Sequence, residues 1–83
     1  MQNPEIEKAF RVLENECDAW DMSDVANTAI SEFESENVTG NSAPERFFAI
    51  AAGIVRAKGL DAKWSASPIL SFTITRPGRT ART

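Results

Sequence analysis

Carboxylates are the groups with which this sequence could do chemistry, and their spacing decides what that chemistry would be. Glu32, Glu34 and Glu36 alternate along one short stretch. Three converging carboxylates could hold a hard cation such as Ca²⁺. On a helix, alternate positions point about 200° apart, so convergence would require the helix to have unwound there. No Asp-x-Asp-x-Asp-Gly loop is present to do so. A solvated helix end therefore outweighs a cation site, and neither a metal nor another cofactor is expected. The pairs Glu14/Asp18 and Asp21/Asp24 have acid–base spacing, but nothing around them marks a pocket, which leaves a carboxylate hydrolase unsupported. Without converging, carboxylates can still present a field. Glu14, Asp18, Asp24, Glu32, Glu34 and Glu36 would form an anionic surface that steers and docks a basic protein partner.

The basic side chains suggest the opposite chemistry. Arg46, Arg56, Lys63, Arg76, Arg79 and Arg82 could contact nucleic-acid phosphates, the last three recurring every third residue. No aromatic is interleaved with those three as a stacking platform, which weakens the reading. Cys17 falls on an apolar stripe and reads as an inert buried thiol. The sequence has no histidine. Ser–His and Cys–His nucleophile pairs and a near-neutral imidazole base are therefore excluded. With one cysteine and no histidine, so is the usual structural zinc site. A non-enzyme is expected.

The charges are unevenly distributed along the 83 residues. Residues 1–36 carry a net −8 and residues 37–83 a net +5, which together give the overall −3. Such an asymmetry can indicate a charged partner. The length predicts one domain, residues 1–75, followed by a basic tail, residues 76–83. With 42% hydrophobic and 25% charged residues, the composition is ordinary for a packed fold. Met1–Glu5 shows neither a basic nor an apolar leader pattern, and the single cysteine fits a reducing compartment, so a cytoplasmic location is expected. The longest apolar run, Phe47 to Val55, has nine residues and is too short to span a bilayer.

The elements that must position these groups follow from periodicity. Asn3 and Pro4 start a first helix, with apolar residues Ile6, Phe10, Leu13, Cys17 and Trp20 on one stripe widened by Ala9 and Val12. It should break near Asp21, where Asp21 or Ser23 caps a second helix carrying Met22, Val25, Ala26, Ala29, Ile30 and Phe33. The two form an αα-hairpin with acidic backs. Ser42 to Glu45 is a capping box for a third helix, about Ala43–Lys58. Phe47, Phe48, Ile50, Ala51, Ile54 and Val55 give it a broad apolar face, as expected of a central core helix. Gly59 and Leu60 read as its C-terminal stop. The period then changes to two. Leu60, Ala62, Trp64 and Ala66, a turn over Ser65 to Pro68, and Leu70, Phe72 and Ile74 predict a β-hairpin. The fold class is α+β.

Three functional expectations follow. The first is a small non-enzymatic interaction protein, an inhibitor or adaptor of the kind small phage genes often encode, which binds a protein through its acidic surface. The second is a winged-helix-like nucleic-acid-binding module, whose element order fits but whose apolar third helix leaves few reading residues. The third is a structural subunit of a homo-oligomer. A two-stranded ribbon offers open edges, so a homodimer could form by strand addition or helix packing. Trp20 and Trp64 are assigned to the core.

Overall fold

In a computed structural model, residues 4–36, 43–67 and 69–76 are described. The Asn3 cap, the Ser42 half of the capping box, Pro68 and the tail from residue 77 onward lie outside them. Three helices, α1 (Pro4–Ala19), α2 (Ser23–Ser35) and α3 (Ala43–Ala57), precede two strands, β1 (Asp61–Ser65) and β2 (Ser71–Thr75). The strands pair antiparallel in a two-stranded sheet, with Ala62 opposite Ile74 and Trp64 opposite Phe72. The α+β architecture is the expected one.

Both helix ends that lead into a tight turn use the same device. At the end of α1 the amide of Met22 bonds the carbonyl of Cys17 at 2.8 Å, and that of Asp21 bonds Asp18 at 3.1 Å. This is the paired bonding of a Schellman stop, with Asp21 in the left-handed position at φ 58°. At the end of α3 the amides of Leu60 and Gly59 bond Val55 and Arg56 in the same way, with Gly59 at φ 88°. The second stop was legible in the sequence. The first corrects the expected cap of α2. Asp21 is committed to closing α1, so Met22 occupies the N-cap position of α2, with no side-chain cap bond.

The core is centred on α3, as expected. Phe47 and Phe48 are fully buried, and because neighbouring helix positions diverge by about 100° they serve different halves of the core. Phe47 meets Phe33 of α2 edge-on at 5.8 Å and Phe10 of α1 at 6.4 Å. Phe48 meets Phe72 at 5.4 Å and Trp64 at 6.1 Å on the ribbon. Alanines sit where helices approach closely: Ala9, Ala26, Ala29, Ala51 and Ala52 are all buried. The buried line of α1 is Ile6, Ala9, Leu13 and Cys17, so the stripe centres nearer Ala9 than the spacing suggested. Phe10 and Trp20 flank it, half-buried, as does Trp64 on the ribbon. No polar or charged residue is fully buried among the described residues. Among the described residues no helix is long and apolar enough to cross a membrane.

Candidate functional site

The expected acidic cluster at the end of α2 is divided by helix geometry. Glu36 turns toward α3, where its two carboxylate oxygens accept bonds from Nε and a terminal nitrogen of Arg46 at 2.8 and 2.9 Å. This bidentate clasp holds the Glu36 carboxyl below its ordinary pKa, chiefly through the guanidinium hydrogen bonds. It also answers the apparent misplacement of an acid at the negative end of the α2 dipole, because the cation is supplied by α3. Asp24, at the other end of α2, pairs with Lys58 of α3 at 3.3 Å. Glu36 marks the edge of α2 that turns toward α3, while Asp24 lies about 120° round the helix from it and is met by the long side chain of Lys58. Glu32 lies one turn before Glu36, near that edge, and Glu34 lies about 160° from Glu36, on the flank turned from α3.

On α1 the half-buried Glu16 marks the flank that meets the ribbon. Its Oε2 accepts the backbone amide of Ile74 at 2.8 Å and the indole N–H of Trp20 at 3.3 Å. Glu14 and Asp18, two positions to either side, point about 160° from it, toward the opposite flank. Glu14, Asp18, Glu32 and Glu34 are exposed, and none makes an ion pair among the described residues. Glu14, Asp18 and Glu34 are thus spread along the outer side of the αα-hairpin. No group of three potential metal ligands converges among the described residues.

Among the described residues, the cations of the basic half are largely engaged within the fold. Arg46 is clasped to Glu36. Arg56 lies 3.6 Å from Asp61 and donates to the carbonyl of Ala62 at 3.1 Å. The guanidinium of Arg76 stacks over Trp20, 5.3 Å from the ring centre. Lys63 is exposed on the outer face of the ribbon, with no ion pair among the described residues. Arg79 and Arg82 lie outside the described residues. In a winged-helix arrangement Arg46 and Arg56 would be the reading residues of α3, yet here both are tied to neighbouring elements.

Cys17 is buried between α1 and the start of α2. Burial pushes its thiol up to about 11, the Ala26 amide partly offsetting this while Asp18, Glu16 and Asp24 add to it. A thiol so protonated is no nucleophile at neutral pH. Glu16 is the residue that reading the sequence passed over. Its signal was present but ambiguous: an acid on the margin of the apolar stripe, four residues before a tryptophan.

Compared with known proteins, the chain shows no significant match to a family model, a curated protein or a solved structure.

Proposed function

We propose that this chain is a small non-enzymatic interaction protein, an inhibitor or adaptor that binds a basic protein surface through the outer acidic side of its αα-hairpin. The observation that carries this reading is an imbalance in unspent charge. Among the described residues Arg46, Arg56, Lys58 and Arg76 are each engaged by a neighbour in the fold, which leaves Lys8, Arg11 and Lys63 as the exposed cations outside any ion pair, against the exposed acids Glu7, Glu14, Asp18, Asp21, Glu32, Glu34 and Glu45. Uncompensated negative charge steers a cationic partner and repels phosphates. The nucleic-acid alternative has to break existing contacts before Arg46, Arg56 or Arg76 can be used. The buried thiol of Cys17 suits a reducing, cytoplasmic setting.

The test is a binding series with an arginine-rich peptide as probe and duplex and single-stranded DNA as competitors. The wild-type chain is expected to bind the peptide, with affinity falling as salt is raised. Charge reversal at Glu14, Asp18 and Glu34 should weaken binding and flatten its salt dependence. Reversal at Glu36, whose charge is already spent on Arg46, should change binding less than the triple reversal. Tight binding to either DNA, or peptide affinity indifferent to the triple reversal, would reject the proposal.

A further inference from the structure

The two-stranded ribbon has two outer edges, and each is occupied at the same cross-strand pair. Ala62 and Ile74 face each other across the ribbon. The amide of Ile74 goes to Glu16 and not to Ala62, so this is a pair whose backbone groups point outward. Because hydrogen-bonded and non-hydrogen-bonded pairs alternate in an antiparallel ladder, Trp64 and Phe72 form the other outward-facing pair. An incoming strand would therefore use Ala62 and Trp64 on one edge, or Ile74 and Phe72 on the other.

At Ala62 both outward groups are taken. Its amide donates to Oδ1 of Asp61 at 2.8 Å, and its carbonyl accepts from Arg56 at 3.1 Å. At Ile74 the amide donates to Glu16 at 2.8 Å. Arg56 comes from α3 and Glu16 from α1, the helices in contact with β1 and β2 respectively. Each helix thus sends one charged side chain to the outer edge of the strand packed on it. Strand addition builds affinity from consecutive main-chain bonds. With one of the two outward residues on each edge already bonded, only an isolated residue remains for a newcomer.

We propose that Glu16 on one edge, and Arg56 with Asp61 on the other, are edge guards that keep the ribbon from adding strands of other copies of this chain. Charged side chains placed at a sheet edge are a general means of blocking such pairing. The proposal replaces strand addition as a route to a dimer, because the edges on which that route depends are closed in the folded chain. It is independent of what binds the acidic side of the hairpin.

The guards can be removed one edge at a time. Glu16→Ala opens the β2 edge, and Arg56→Ala combined with Asp61→Ala opens the β1 edge. Sedimentation equilibrium gives the mass, and amide hydrogen exchange followed by NMR gives the site. Opening one edge permits one isologous pairing, so each variant is expected to double its mass relative to the wild-type chain of 9.1 kDa and stop there. Opening both edges should give larger assemblies. On association, exchange at Phe72 in the first variant and at Trp64 in the second should slow at least tenfold. Glu16→Gln keeps an acceptor for the Ile74 amide and is expected to keep the wild-type mass. The proposal is overturned if both edge variants keep the wild-type mass at all concentrations. It is equally overturned if they associate while Phe72 and Trp64 exchange as fast as in the dilute protein. If one variant loses its helical signal, the other decides by the same criteria, since the two edges are guarded from different helices.

Discussion

Oε2 of Glu16 lies 2.8 Å from the amide nitrogen of Ile74, a bond that spans 58 positions of chain. It joins the first helix to the last strand, and the Trp20 indole on the same oxygen places the α1 end of the contact. An amide at a strand edge that is partly shielded from water needs an acceptor, and a carboxylate is a strong one. Replacing Glu16 with alanine removes the acceptor and is expected to cost about 1–3 kcal/mol of stability. Each kcal/mol lowers the melting midpoint of a domain this size by about 4–8 °C. Glu16→Gln should lose less than Glu16→Ala. Equal losses in thermal melts would show that charge, and not the acceptor, holds the strand.

The two helix stops differ in one respect that mutation can read. Gly59 takes its left-handed φ of 88° without penalty, while Asp21 takes a φ of 58° with a side chain attached. A left-handed L-residue costs roughly 1–2 kcal/mol, less for Asp. Asp21→Gly is therefore expected to raise stability by about 0.5–1 kcal/mol, and Gly59→Ala to lower it by about 1 kcal/mol or more. Chemical denaturation of both variants checks the pair of signs. Destabilisation by Asp21→Gly would mean that the aspartate side chain contributes more than its backbone costs.

These stops also mark how far the sequence could be read. Gly59-Leu60 announced its turn because glycine is the usual residue there, whereas Asp21 has two local uses, helix cap and left-handed stop, and periodicity does not choose between them. The helices, the ribbon and the central role of α3 were legible because Phe47, Phe48 and the alternation around Phe72 bury apolar surface at helical and strand periods. Partners brought together by tertiary structure were not legible. Glu32, Glu34 and Glu36 look like one cluster along the chain, but Glu36 belongs with Arg46 and Glu34 faces the other way. Nor does any local pattern connect Glu16 to a backbone amide in β2, because a backbone donor has no signature in the side-chain sequence.

Gly53 is a glycine that the fold does not require. It is exposed in the interior of α3, and a Cβ built there meets nothing within 4 Å. Glycine in a helix interior costs about 0.5–1 kcal/mol relative to alanine, through the freedom it loses on folding. Gly53→Ala is expected to raise stability by that amount, read from the urea midpoint with an unchanged m-value. A lower midpoint would show that the exposed side of α3 is constrained by something beyond local helix propensity.

The Glu36–Arg46 clasp gives stability a pH dependence of known sign. Glu36 titrates below its ordinary value of 4.5 in the folded chain because Arg46 donates two hydrogen bonds to its ionised form. A carboxyl whose folded pKa lies below its unfolded one binds its proton more weakly in the native state. Its contribution is therefore complete above the unfolded value and is lost as pH falls through the folded one. Both partners are substantially exposed, at 49% for Arg46 and 37% for Glu36, so solvent screens the pair and its effect on global stability should be small. The site-specific readout is sharper. In a carbon-13 titration of the glutamate carboxyls, the Glu36 midpoint is expected to lie below the ordinary glutamate value. Arg46→Gln should move it up toward that value. If the Glu36 midpoint is the same with and without Arg46, the clasp does not persist in solution. The end of α2 would then present both Glu32 and Glu36 as free charge beside Glu34, enlarging the surface available to a basic partner.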